Sequence, residues 1–289
     1  MLLVRTFPSA IQQALWTDDR GAHWMPVMLP ELDVGTTYSP FFLDRDTGWV
    51  LAVNPAPVSR TALYGTVDGG EHWRRLADAG DGPAQSQGIS SSDVLFDLAF
   101  VAGGLGWLTG RTTTGGPALL MTRDGGHEWA RTTLPADSNG PLETSHLDVW
   151  APMIFADGHG VLPVYDRDAG RTWLYVTDDH GANWSDPQAL PWDGGYRRPS
   201  FSAGGAGWTW SDQSAWLTVD AGRTWRRVAA LPGGWLFDAI AAVSETTAWA
   251  SAAEVREQGS GSPRPPRWGL FRTTDGGLHW TPVAMPALA

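Results

Sequence analysis

One eight-residue pattern constrains this chain more than any other feature. T-x-D-x-G-x-x-W occurs six times, as TDDRGAHW (17–24), TVDGGEHW (66–73), TRDGGHEW (122–129), TDDHGANW (177–184), TVDAGRTW (218–225) and TTDGGLHW (273–280). The central aspartates are Asp19, Asp68, Asp124, Asp179, Asp220 and Asp275. The closing tryptophans are Trp24, Trp73, Trp129, Trp184, Trp225 and Trp280. A recurrence of roughly 40–55 residues is the mark of a repeat architecture, in which one small supersecondary unit is built over and over.

Each box follows a short apolar run, such as Ala62-Leu63-Tyr64 or Leu119-Leu120-Met121, and most precede another that ends at proline. Strand, D-x-G turn and strand make a hairpin. The glycine supplies the positive φ of the reversal. The aspartate can accept turn amides, the threonine hydroxyl can join it, and the tryptophan can lay its ring on the hairpin. A weaker repeat lies upstream of five boxes: Phe41…Gly48-Trp49, Leu98…Gly106-Trp107, Ile154…Gly160-Val161, Phe201…Gly207-Trp208 and Ile240…Ala248-Trp249. It predicts an inner strand, a tight turn and a second strand. Each full unit is then a meander of strands A, B, C and D with the box at the C–D corner. Four-stranded units of this length predict an all-β, six-bladed β-propeller of antiparallel blades in one domain, residues 1–289. The first blade is expected to be incomplete, starting at strand B in Leu2–Phe7.

Composition removes several classes. The 289 residues include no cysteine, which excludes disulfides, thiol chemistry and Cys-zinc sites. All 20 basic residues are arginine, and 31 acids leave a formal charge of −11. That charge repels a phosphate backbone, so nucleic acid is not an expected partner. No apolar run approaches the ~20 residues of a membrane-spanning helix. No cofactor and no metal is expected. The D-x-D-x-G runs at 44–48 and 166–170 resemble part of a calcium loop but lack its later ligands, and read more simply as an A–B turn and a B–C loop. His23, His72 and His279 share no metal spacing.

These boxes carry a specific resemblance. The chain resembles the Asp-box, or bacterial neuraminidase repeat, proteins, whose S/T-x-D-x-G-x-x-W pattern all six copies match. The longer unit, F…GW…L-x-T-x-DGG-x-x-W, is most similar to propellers of the photosystem II assembly and stability factor type. Sialidases, xyloglucanases and sortilin-type receptors share the box. The resemblance implies that the box is a structural turn away from the substrate face. Box residues are therefore expected to hold the fold, and function is expected on the face made by the B–C loops and D–A crossings.

On that face the long segments are Ala77–Asp93, Ala136–His146 and Ala253–Trp268. Alignment on Gly-Trp places Ser39, Asp97, Trp150, Arg198 and Asp238 at the entrance of strand A, with Tyr38, Tyr196, Arg197, Trp235 and Phe237 beside them. The candidate ligand-binding set is Tyr38, Asp97, Trp150, Tyr196, Arg197, Arg198, Trp235 and Asp238, expected around a channel mouth. No catalytic residue is assigned. The leading function is a non-catalytic scaffold for a protein or glycan partner; the alternative is a sialidase-like exo-glycoside hydrolase. The sialidase family holds a carboxylate with three arginines and pairs a tyrosine nucleophile with a glutamate. Here Tyr196-Arg197-Arg198-Pro199 is similar to its Arg motif but precedes the fifth box, and no Tyr–Glu–Arg set falls at matching positions. A monomer is expected. The compartment is open: extracytoplasmic if sequence lies upstream of Met1 to complete the first blade, cytoplasmic otherwise.

Overall fold

The computed structural model describes residues 2–5, 12–17, 23–30, 36–54, 60–79, 87–135, 146–192, 196–254 and 267–284. The chain divides into two compact units, Met1–Leu134 with His146–Pro152, and Pro135–Ser145 with Met153–Ala289. Each is made of antiparallel meanders taken in chain order. Among the described residues the only helical turn is a 3-10 turn at Pro232–Gly234. No helix there is long and apolar enough to cross a membrane.

The first unit holds sheets 1 to 3. Sheet 1 has three strands, Leu2–Arg5, Gln12–Trp16 and Met25–Val27, as expected for a unit that begins at strand B. Sheet 2 is Thr37–Phe42, Gly48–Asn54, Arg60–Thr66 and Arg74–Asp78. Sheet 3 is Asp93–Phe100, Gly106–Thr112, Pro117–Thr122 and Ala130–Arg131. The strand Leu147–Val149 packs against the two middle strands of sheet 3. The second unit holds sheet 4 (Met153–Ile154, Gly160–Asp166, Arg171–Thr177, Gln188–Ala189), sheet 5 (Ser200–Phe201, Gly207–Trp210, Ala215–Thr218, Arg226–Arg227) and sheet 6 (Trp235–Ala242, Ala248–Glu254, Trp268–Thr273, Thr281–Val283). In sheets 2 to 6 each of these strands pairs with the one before it, the A-B-C-D meander that the repeat predicts.

The phenyl before the Gly-Trp turn has a steric role, although in sheets 2 and 3 the ring concerned is Phe42 and Phe100 rather than the aligned Phe41 and Leu98. A Cβ on Gly48, Gly106 or Gly207 would stand 2.7, 2.3 or 2.3 Å from the ring of Phe42, Phe100 or Phe201 at the end of strand A. The phenyl lies on the bare backbone, so ring and glycine go together. In sheet 6 the facing residue is Ala242, and Ala248 is accommodated in place of the glycine. Tryptophan then carries the core from sheet to sheet. In the first unit Trp49 stacks on Phe100, with centroids 3.8 Å apart and planes 3° from parallel, and its Nε1 donates to the Gly125 carbonyl at 2.9 Å. In the second, Trp208 and Phe237 both stand edge-on to Trp280. Burying rings of this size supplies most of the hydrophobic stabilisation that a narrow sheet can gain.

Five boxes fall on described residues, and all five form the same corner; Asp19 of the first box lies outside them. The threonine hydroxyl donates to the aspartate Oδ1, as in Thr66–Asp68 at 2.7 Å and Thr218–Asp220 at 2.6 Å. It also accepts the buried amide of the box glycine, at 2.9–3.1 Å, in Gly70, Gly126, Gly181, Gly222 and Gly277. The aspartate Oδ1 accepts the amide four residues on, at 2.8–3.0 Å. The backbone after the aspartate takes two positive φ values in succession. Glycine always fills the second, whereas His180 (+57°) and Ala221 (+55°) sit in the left-handed region at the first. Trp129, Trp184 and Trp280 are buried, while Trp24 is 43% exposed.

Both D-x-D-x-G runs are turns of the expected kind. Asp44 Oδ1 accepts the amides of Asp46 and Thr47, and Asp166 Oδ1 those of Asp168 and Ala169.

Candidate functional site

The corners are closed systems. Besides its two bonds at Oδ1, each of four corner aspartates binds a side chain at Oδ2 from the residue before tryptophan: His72 Nδ1 (2.8 Å), Asn183 Nδ2 (2.7 Å), Thr224 Oγ1 (2.6 Å) and His279 Nδ1 (2.7 Å). The sequence reading missed this fourth contact, although the column before tryptophan reads His, His, Glu, Asn, Thr, His. Glu128 is the exception, since a carboxylate brings no donor. These donors hold the carboxylates in the ionised form. Backbone and side-chain bonds from His279 place Asp275 at about 2, and the side chain and amide of Asn183 place Asp179 at about 2. Asp68 is lowered further, first by the His72 amide. Asp124 and Asp220 are lowered too, their hydrogen bonds outweighing desolvation, the largest single influence on each.

Asp68, Glu71 and His72 bring three potential metal-ligand atoms within 4.8 Å of one another, all exposed. Two of those groups are already bonded together in the corner, and the matching position to Glu71 in the last box is Leu278.

The predicted ligand-binding residues fall into two groups, one in each unit. In the first, Tyr38 is half-buried, and its hydroxyl donates to the Pro30 carbonyl at 3.1 Å. Burial, then the nearby Tyr64, pushes its ionisation upward. Ser39 Oγ donates to the Phe96 carbonyl across to sheet 3. Asp97, expected at the entrance of strand A, lies instead within Asp93–Phe100 where the register shifts, and its Oδ2 accepts the Ala151 amide at 2.9 Å, fastening sheet 3 to the segment that follows Leu147–Val149. Trp150 is buried.

The second group is denser. Tyr196 is 56% exposed and stands edge-on to Tyr165, with centroids 4.9 Å apart. Arg197 Nη1 donates to the carbonyl of Asp238 at 2.9 Å, and its other terminal nitrogen pairs with Asp212, so it ties sheet 5 to sheet 6. Trp210 Nε1 donates to the same Asp238 carbonyl. The Asp238 side chain is exposed and accepts Ser251 Oγ at 3.0 Å. Arg198 is half-buried. Trp235 stands edge-on to Phe271, and its ring covers Gly269. Tyr196, Arg197, Arg198 and Trp235 are at the strand ends opposite the corners of sheets 5 and 6, whereas Asp238, expected at a strand entrance, lies within the strand Trp235–Ala242 where its register shifts between Phe237 and Ala239. The central parts of the three long segments, 80–86, 136–145 and 255–266, lie outside the described residues.

A concave feature lies elsewhere, at the corner end of the second unit. A cleft of about 430 Å³ opens between the turns of sheets 4 and 5, lined by Phe155, Asp157, His159, Ala203, Val219, Ala221 and Arg223 among others. His159 Nδ1 and the Arg223 guanidinium both bind Asp178, which lowers that carboxyl, the histidine contact contributing most. The sequence reading did not find this cleft, because its residues come from three separated turns.

No family model matches the sequence, and no curated protein matches it. Solved structures do. The chain is similar to YCF48 from Cyanidioschyzon merolae, with a TM-score of 0.57 and 18% identity over 97% of this chain and 84% of that one. It is similar to a protein of unknown function from Dyadobacter fermentans, with a TM-score of 0.53 and 12% identity over 92% of this chain and 85% of that one. It is also similar to an ulvan lyase of polysaccharide lyase family PL25, with a TM-score of 0.56 and 9% identity over 96% of this chain and 78% of that one. Identities this low speak to architecture alone. Together with the repeated four-stranded meanders they show that this chain has the β-propeller fold.

Proposed function

We propose that the chain is a single six-bladed Asp-box propeller that recognises a protein or glycan partner without catalysing a reaction, using the strand ends opposite the corners. The corner carboxylates are occupied by their own hairpins, so that end has little polar capacity left to offer. The opposite end of sheets 5 and 6 supports the reading. The observation that carries it is the exposed Tyr196, braced edge-on by Tyr165, beside Arg197 and Arg198. Aromatic and arginine side chains are the residue types enriched at recognition surfaces. Arg197 is the fixed member, since the Asp238 carbonyl and Asp212 hold it. Tyr38, Asp97 and the buried Trp150 belong to the proposal as the group in the first unit.

The test is a glycan array and a displayed-peptide library screened with the full chain. The wild type should give hits that Tyr196→Ala and Arg198→Glu weaken at least tenfold, while the corner variant Glu71→Ala leaves them intact. Hits indifferent to both substitutions would remove the site, and turnover of a fluorogenic sialoside abolished by Arg198→Ala would replace the binding reading with a hydrolase.

A further inference from the structure

We infer that the partner of the second unit's recognition surface is a neutral oligosaccharide, stacked on Trp268 and Tyr196 with its hydroxyls donating to Asp238. The inference rests on the surface proposed above and adds Trp268, which the alignment on Gly-Trp does not reach. Among the described residues of this unit, the exposed large apolar side chains sort by end. Val219, Val243 and Leu278, all aliphatic, are in turns at the corner end, whereas Tyr196 and Trp268, both aromatic, are at the other. Trp268 is 53% exposed at the first position of its strand. Counted five residues before the box threonine, the same position in sheets 2 to 5 holds Thr61, Pro117, Thr172 and Gln213, so the repeat itself does not require a large ring there.

Strand register joins these residues into one surface. Trp268 pairs with Ala253 and Leu270 with Ser251, so Trp268 and Ser251 share a face of sheet 6 as diagonal neighbours about 7–8 Å apart. Ser251 Oγ donates to Asp238 Oδ2 at 3.0 Å, which brings that exposed carboxylate to the same face. Asp238 is the extra residue of the register shift between Phe237 and Ala239, a place where a strand re-aims a side chain. Its carbonyl accepts Arg197, and Tyr196 precedes Arg197 in the chain. A run of contacts thus leads from Trp268 through Ser251, Asp238 and Arg197 to Tyr196. The negative face of an aromatic ring attracts the C–H hydrogens on the flat side of a pyranose, and a carboxylate accepts hydroxyls in charge-assisted bonds. The core of a protein–protein interface is depleted of charge, but here a carboxylate separates the two rings. Arg197 and Arg267 are paired with Asp212 and Glu254, and Asp238 together with the chain's charge of −11 repels an anionic sugar.

Titration calorimetry of the full chain tests the inference, with neutral six-unit oligomers of glucose, xylose, mannose and galactose and with an oligogalacturonate of the same length. At least one neutral oligomer should bind with a dissociation constant on the order of 0.1–1 mM, and the oligogalacturonate at least tenfold more weakly. Trp268→Ala and Asp238→Asn should each weaken the neutral oligomer at least tenfold. Both side chains are exposed, so the two variants should melt as the wild type does. Leu278→Ala, at the corner end, should leave affinity unchanged. The inference is overturned if no neutral oligomer binds at about 10 mM, if the oligogalacturonate binds as tightly, or if Trp268→Ala has no effect. Should one of these results accompany peptide hits that Tyr196→Ala weakens, the sugar is removed and the recognition surface stands with a protein as its partner. Should no peptide bind either, the surface is removed as well.

Discussion

The two ends of each meander are built on different principles. At the corner end, five described hairpins repeat one arrangement: a threonine hydroxyl shared between an aspartate and a glycine amide, with the carboxylate closed over the turn. At the other end, among the described residues, the links between sheets differ. Sheet 2 links to sheet 3 through Ser39 and the Phe96 carbonyl, whereas sheet 5 links to sheet 6 through a guanidinium and the Asp238 carbonyl. Repetition marks the end where backbone geometry is the constraint, because a buried turn amide has few ways to be satisfied. Variety marks the end where no shared turn geometry dictates the side chains.

Substitutions can break that contrast. The largest expected effect is Trp208→Ala, at the corner end of sheet 5, where the side chain is fully buried against Trp280. A loss of about 3–5 kcal/mol in urea unfolding is expected, against about 1–2 kcal/mol for the half-buried Trp235→Ala at the other end. Equal losses would erase the distinction. Thr218→Val comes next. It removes the hydroxyl that satisfies the buried Gly222 amide and also binds Asp220, and about 1–3 kcal/mol should disappear in the same assay.

Acid provides a smaller, sharper probe. Asp179 and Asp275 ionise at about 2 in the folded chain, below the ~3.9 of an unfolded aspartate. Their contribution is therefore complete above pH ~4 and is lost as pH falls through about 2, with no comparable change between pH 5 and 7. Solvent screening keeps it modest, since the carboxylates are exposed. A melting temperature that stays level from pH 5 down to 2 would show that the corner bonds do not favour the ionised form. Smaller still, Glu128→Asn supplies the donor that the 122–129 corner lacks and should raise the melting temperature by about 1 °C. Tyr196→Ala should move stability least, within about 0.5 kcal/mol, because its ring is mostly exposed; its effect belongs in the binding measurement.

Much of the fold was legible because the repeat states its own geometry. The box predicts the hairpin, F…GW predicts strands A and B, and Leu2–Arg5 opens a three-stranded sheet where the pattern lacks strand A. The donor before tryptophan was present in the letters but hidden by chemistry: histidine, asparagine and threonine share no motif, only the ability to donate to one oxygen. The candidate site was legible only as positions. Alignment put Arg198 and Asp238 at equivalent positions with Arg197 beside the first, but did not give the fact that Arg197 binds the Asp238 carbonyl rather than its carboxylate.

By itself the sequence determined the local units, since turn chemistry, strand alternation and the phenyl–glycine pairing act over a few residues and repeat with the pattern. Only the tertiary structure decided what lies between neighbouring sheets. Whether a tryptophan crosses to the next corner, as Trp49 does, or a valine packs with phenylalanines from two neighbouring sheets, as Val161 does with Phe155 and Phe201, depends on side-chain volume at sites dozens of residues apart in sequence and adjacent in space. Close packing is a property of those assembled neighbours and not of any segment alone.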